Sequence, residues 1–278
     1  MSLKEFNIFK RIQDGNIYVR PFNILMATLI IIIYYILINL FSGLSVYLIN
    51  SLNIQNTSLI QLTLFFLKFF FAILTLLMIL SFIKDTDYKS NYYGTFSLID
   101  CFYILIFIIG FRLFFEGSFV QILNYVPKLS IFSSFFTNFD LGLILYTCIY
   151  SPLLEEVLFR GIILNSFIKK YSSSIALIFS SLVFAIAHLN FIQGINAFFL
   201  ALILGYIYLK TKSLYLCIAL HFFNNILASI MPSFIFSSLS ESLFYILVNL
   251  LAGILFMYFA YKKLNLPNRE TLYFNKEE

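Results

Sequence analysis

Apolar residues run from Phe22 to Tyr261 with only short interruptions. They fall in stretches near the roughly 20 residues an α-helix needs to cross the hydrocarbon core of a bilayer. The runs predict helices over 22–48, 60–83, 98–115, 141–168, 174–189, 192–209, 213–231 and 242–261. The fifth and sixth are short and parted only by a turn around Asn190, which leaves open a hairpin that does not fully cross. Residues 117–140, with Pro127 and several Ser and Asn, predict a loop or an interfacial stretch. Pro152 predicts a bend or loosening of the fourth helix, and Pro232 the end of the seventh. There is no internal repeat or inverted pair of interrupted helices, the pattern many transporters carry.

The basic residues between these runs supply a test of their number, because Lys and Arg accumulate on the cytoplasmic side. With a cytoplasmic N-terminus, eight spans put fourteen of the eighteen Lys and Arg on that side. These are Lys4, Lys10, Arg11, Arg20, Lys84, Lys89, Lys169, Lys170, Lys210, Lys212, Lys262, Lys263, Arg269 and Lys276, while the outer side keeps Arg112 and Lys128. Both termini are therefore expected in the cytoplasm. Lys68 and Arg160 fall inside spans, and snorkelling toward an interface accounts for Lys68 and for Asp100. The segment Met1–Arg20 lacks an apolar core followed by a small-residue cleavage site, so no cleaved signal peptide is expected.

Composition agrees with an all-α, polytopic integral membrane protein of about eight transmembrane helices. The chain of 278 residues is 61% hydrophobic and 11% charged, with a mean hydropathy of +0.94. The net charge of +5 is spread between apolar runs and forms no basic stripe, which argues against a nucleic-acid partner. Cys101, Cys148 and Cys217 lie in apolar segments without a CxxC pair and read as small buried hydrophobes. Abundant Phe, Ile, Asn, Lys and Tyr point to an AT-rich bacterial genome and so to a bacterial plasma membrane.

Charged and strongly polar side chains within spans cost a few kcal/mol or more, so those present are the informative ones. The fourth span carries Glu155, Glu156 and Arg160, the fifth His188, and the seventh His221, Asn224 and Asn225. Neighbouring helical residues point about 100° apart, so the two glutamates need different roles. Glu156 and Arg160, four apart, share a face in the orientation that favours an ion pair. Glu155 is left without an obvious partner on its own helix, as a reactive carboxylate would be. The same three charges would also make an internal network that fixes helix packing. Phe184 and His188 share a face by the same spacing, as do His221 and Asn225. At 1.5 Å per residue, Glu155, His188, His221 and Asn225 lie roughly 12–20 Å from the cytoplasmic ends of their helices, which permits them to meet.

The succession Glu155-Glu156-x-x-x-Arg160, Phe184-x-x-x-His188 and His221-x-x-x-Asn225, each on its own apolar helix, resembles the CAAX-protease and bacteriocin-processing (CPBP, or Abi) family. That family comprises intramembrane endopeptidases related to the type II CAAX prenyl endopeptidase. The similarity covers about residues 140–231 and divides the chain. Residues 1–21 are a cytoplasmic segment, 22–139 transmembrane helices without recognised motifs, 140–231 the catalytic helices, and 232–278 the last transmembrane helix and a cytoplasmic tail. The resemblance implies an intramembrane cavity in which a peptide bond is hydrolysed. Glu155 and His188 would activate water, His221 and Asn225 would hold the oxyanion, and Glu156, Arg160 and Phe184 would support them.

Peptide hydrolysis needs a base for water and donors aimed at the oxygen that becomes negative, and these residue types supply both. Whether a metal takes part stays open at this stage. A divalent ion such as zinc could use Glu155, His188 and His221, yet Glu156 would then be the only nearby base and Arg160 occupies it. No H-E-x-x-H helix is present. The expected partners are a membrane peptide or protein substrate and the lipid bilayer. Two other functions share these residues: a non-proteolytic membrane scaffold or bacteriocin-immunity factor, and a transporter or proton relay, where buried Glu and His also serve. The terminal Asn275-Lys276-Glu277-Glu278 is not itself a prenylation signal.

Overall fold

Asn23 accepts a hydrogen bond from the backbone N–H of Met26 and so starts α1 (Ile24–Ser51), a 28-residue helix without a charged side chain. The computed structural model describes residues 18–52, 56–85, 97–124, 141–235 and 242–264. Among them eight helices follow one another, with α2 at Thr57–Ile83. The third, α3, runs over Leu98–Phe114, widens to π geometry at Phe115–Phe119 and ends with Val120–Asn124. The fourth, α4, runs from Leu141 through Phe167. It is followed by α5 (Ser173–Ala187), α6 (Phe191–Thr211), α7 (Leu214–Ile235) and α8 (Leu243–Lys263). The molecule is an all-α polytopic integral membrane protein, with a single two-residue antiparallel pair, β1 (Tyr18–Val19) on β2 (Lys84–Asp85), among the described residues.

Five helices are long and apolar enough to cross a bilayer by themselves: α1, α2, α3, α6 and α8. Their outward faces carry large exposed hydrophobic side chains such as Leu25, Phe70, Phe82 and Leu255, which suits contact with lipid. Hydroxyl side chains in α1 and α2 are carried by bonds to their own helix. The hydroxyls of Thr28, Ser45, Thr63 and Thr75 donate to the carbonyl four residues earlier. The 15-residue α5 spans only about 22 Å, less than the hydrocarbon thickness, whereas α6 at 21 residues is long enough.

Three expectations change. Past Arg112, which is 1% exposed and paired with Glu116 one turn on, α3 continues to Asn124. That same continuation makes 117–124 helical rather than loop, with the Gly117 carbonyl accepting from Asn249 Nδ2 of α8 at 3.2 Å; the rest of the expected loop, Lys128 included, lies outside the described residues. Asp100 does not snorkel. It is buried as the third residue of a capping box in which Ser97 and Asp100 satisfy each other's backbone N–H at the start of α3. The α7 backbone also passes Pro232 and stays helical to Ile235, since a proline in the last turn forfeits one rung only.

The chain forms two compact units. The first comprises residues 1–95, 140–218 and 268–278, the second 96–139 and 219–267, so α7 begins in the first and continues in the second. In the first, the segment before α1 is tied to one end of α2 and α4. Arg20 N–H donates to the Ile83 carbonyl at 2.9 Å, Phe22 N–H donates to Ser166 Oγ at 2.7 Å, and Ser166 Oγ donates to the Arg20 carbonyl at 2.9 Å. Lys169 reaches the Val19 carbonyl, so Arg20, Lys84 and Lys169 gather at one end. In the second unit α3 and α8 cross at paired glycines. A Cβ added to Gly110 would lie 2.8 Å from the Gly253 carbonyl oxygen, and one at Gly253 2.7 Å from the Gly110 carbonyl oxygen.

Candidate active site

Pro152 has no N–H to give to the preceding turn, and that turn, Leu145–Tyr150, is π-helical. A second π segment covers Val157–Leu164, so the glutamates stand on a short α-helical stretch, Ser151–Glu156, between two wide ones. The two carboxylates face different surroundings, as their 100° separation requires. Glu155 is half-buried and accepts a hydrogen bond from Ser151 Oγ, one turn earlier. Tyr34 and Tyr35 of α1 and Tyr146 and Tyr150 of α4 are within electrostatic reach of it.

Glu156 is fully buried, and Arg160, 2% exposed, donates to its Oε1 at 2.8 Å. A second guanidinium nitrogen reaches the Ala201 carbonyl of α6 at 3.4 Å. The guanidinium also lies over the Phe184 ring of α5, 5.0 Å from its centroid. Phe184 is wedged edge-on against Phe159 at 4.7 Å and packs on the His188 imidazole at 4.8 Å. Within the first unit, one chain of contacts therefore joins Glu156, Arg160, Phe184 and His188.

His188 closes α5 and stands at the turn into α6, where Leu189 has a left-handed φ of 52° and Asn190 caps α6 by accepting from Gln193 N–H. The His188 Nδ1 lies 2.8 Å from the Phe184 carbonyl oxygen. A carbonyl only accepts, so Nδ1 carries the proton of this bond, and in the neutral ring Nε2 keeps its lone pair. The helix itself thus sets the tautomer a proton acceptor needs.

In the second unit His221 is 3% exposed and Asn225 half-buried, one turn apart on α7. Between them Asn224, 1% exposed, accepts from Arg112 Nε at 3.0 Å and donates through Nδ2 to Asn225 Oδ1 at 3.0 Å. Sequence reasoning noted Asn224 without a role and missed Ser151, the tyrosines, Arg112 and Glu116. Ser151 was within reach, lying four residues before Glu155; Tyr34 and Arg112 carry no local signal that ties them to α4 or α7. Among the described residues no three His, Cys, Asp or Glu side chains gather as a metal site would require. Glu155 and His188 belong to the first unit and His221 to the second, and the chemistry below is derived through the side chains alone.

Residues 137–227 match the family model described as type II CAAX prenyl endopeptidase Rce1-like, which bears out the resemblance read from the three motifs. The match covers about a third of the chain and contains Glu155, Glu156, Arg160, Phe184, His188, His221 and Asn225. No curated protein and no solved structure matches the chain.

Proposed function

We propose that this protein is an intramembrane endopeptidase that hydrolyses a peptide bond of a membrane-associated peptide or protein. The observation that carries the reading is that all three polar motifs of the transmembrane helices fall inside the matched segment, 137–227. At the level of family the match supports a CAAX-type peptidase, and a prenylated C-terminal peptide is accordingly the first substrate class to try.

In this reading His188 Nε2, left basic by the Nδ1–H bond to the Phe184 carbonyl, and Glu155, steadied by Ser151, take the proton of the attacking water. His221 and the Asn225 amide donate to the oxygen that becomes negative as the carbonyl carbon turns tetrahedral. The proton held by the base then passes to the departing amine. Glu156 and Arg160 do not react. Their ion pair keeps the guanidinium charge away from Glu155 while Arg160 braces Phe184, and through it the His188 ring. The distribution of cations favours both termini on the cytoplasmic face, and the abundance of Phe, Ile, Asn, Lys and Tyr favours a bacterial plasma membrane.

The test is cleavage by full-length protein in liposomes of an internally quenched, farnesylated CAAX-type peptide, together with a library of tagged membrane peptides. Wild-type protein is expected to release fragments and Glu155→Gln none. Undiminished cleavage by Glu155→Gln would remove the assigned base. A protein that cleaves nothing but carries solute or ion flux in the same liposomes would be a transporter.

A further inference from the structure

The second unit buries an ion pair for which peptide hydrolysis, as described so far, has no use. Arg112 and Glu116 of α3 are paired, and Arg112 is 1% exposed although it lies within a transmembrane helix. Burying a guanidinium and a carboxylate costs several kcal/mol even when they are paired, and exchange for apolar residues is often neutral or better. What distinguishes this pair is where its remaining donor points. Arg112 Nε donates to Asn224 Oδ1 at 3.0 Å, and Asn224 Nδ2 donates to Asn225 Oδ1 at 3.0 Å.

The order of donors in this chain is forced at its first link. An arginine has five N–H donors and no acceptor, so the atom of Asn224 facing Arg112 is its oxygen. The Asn224 NH2 group then faces the other way, and the atom of Asn225 that meets it must accept. The oxygen of Asn225 thereby faces Asn224, which turns the NH2 end of that amide away from it. The carboxylate of Glu116 holds the guanidinium at the head of the chain, and the positive charge polarises each amide in turn, strengthening the last donor.

We infer that Arg112, Glu116 and Asn224 form a positioning relay that fixes the Asn225 amide with its NH2 as the oxyanion donor. The inference rests on the reading of Asn225 given above. It assigns a role to α3, a helix outside the matched segment, and to Asn224, a residue between the two of its motif. An oxyanion site with an asparagine in the flipped orientation would present a carbonyl to a developing negative charge, so the relay decides between stabilising and repelling the transition state.

Asn224→Asp is the discriminating variant. The introduced carboxylate still accepts from Arg112 and has nearly the same shape, but it cannot donate to Asn225 and draws the Asn225 NH2 toward itself. On the farnesylated peptide in liposomes, kcat is expected to fall about 100-fold with KM changed less than about 2-fold, the pattern of an interaction made in the transition state. Adding Asn225→Ala to Asn224→Asp is expected to cost no more than about a further 2-fold, because the donor is already lost. Wild-type kcat in Asn224→Asp, or losses that multiply, would overturn the relay.

A second arm needs no activity. In detergent-solubilised protein with heavy-nitrogen-labelled asparagine, the side-chain amide signal of Asn225, identified by its loss in Asn225→Ala, is expected to shift in the double variant Arg112→Met with Glu116→Leu. That variant removes both buried charges together and so preserves folding. An unmoved Asn225 signal would overturn the relay. Should wild-type protein cleave none of the peptides, the peptidase reading fails, and the amide signal by itself decides whether the relay exists.

Discussion

The Phe184 ring contacts both Arg160 and His188, with the guanidinium 5.0 Å from its centroid and the imidazole centroid 4.8 Å away. It is a fully buried spacer that carries the position of a charge pair on α4 to a ring at the end of α5. Phe184→Leu conserves an apolar side chain but removes the flat surface and its quadrupole. The His188 backbone and tautomer stay, while the imidazole gains freedom to turn. Cleavage is expected to drop about 10-fold through kcat, the usual scale for a loosened reacting group, with a melting temperature in detergent lowered by only a few degrees. Kinetics on the farnesylated peptide and a thermal melt check both parts.

Adjacent glutamates should respond in opposite ways to the same change. Glu155→Gln keeps shape and a bond to Ser151, and the half-buried site tolerates it, so the protein should melt as wild type while cleavage falls about 1000-fold or more. Glu156→Gln leaves Arg160 buried with its charge uncompensated, a loss of about 3–5 kcal/mol that should show as poor recovery of folded protein. Adding Arg160→Met to Glu156→Gln should restore folding, read by size-exclusion recovery and melting, because the unpaired charge is gone.

How far the sequence carried can be judged from these same residues. Eight apolar runs gave eight helices, with ends within a few residues apart from α3, which runs on to Asn124, since a bilayer leaves the backbone little alternative to helix. Spacing of four residues placed Glu156 with Arg160 and Phe184 with His188, because such contacts depend on helical geometry alone. The burial of Arg112 was out of reach for the opposite reason. Its depth depends on Glu116 and on Asn224, 112 residues away, and a contact of that separation has no local signature. Asp100 was misread because a capping box and a snorkelling carboxylate look alike until the helix start is known. The approach of Tyr34 to Glu155 was equally out of reach, being a matter of how α1 packs on α4.

Chelation provides a prediction from the donor geometry. With His188 Nδ1 on the Phe184 carbonyl and Glu155 on Ser151, the proposed chemistry runs through side chains alone, and cleavage is expected to survive EDTA treatment and dialysis, keeping within about 2-fold of its starting rate. The measurement is the peptide assay before and after treatment. Loss that added zinc restores would instead make His188 Nε2 a ligand rather than a base.

The glycine crossing in the second unit should tolerate no side chain. At Gly253 a Cβ would sit 2.7 Å from both the Gly110 carbonyl oxygen and the Phe114 backbone nitrogen, atoms that cannot turn aside. Gly253→Leu must therefore push α8 from α3, and overpacking of this kind costs about 1–3 kcal/mol or more. Gly43, where nothing lies within 4 Å, is the internal control, and Gly43→Ala should melt as wild type or slightly higher because alanine favours the helix.

Lys212 makes stability depend on pH in a direction that can be worked out. It follows α6 in a left-handed conformation with its Nζ buried, and burial, reinforced by the charge of Lys169, pushes its pKa down from 10.5 to about 7. In the unfolded chain the amine keeps its proton up to about pH 10.4. Below pH 7 both states are protonated, and the folded protein bears the full cost of a buried charge. Between pH 7 and 10 the unfolded state binds more protons than the folded one, so stability contributed by this group rises with pH across that window and levels off above it. Lys212→Met removes the titration. Its melting temperature in detergent should exceed that of wild type by about 2–4 °C at pH 6, and the gap should shrink as pH approaches 10. A gap of constant size across that range would mean that the gain comes from packing of the methionine and not from the amine.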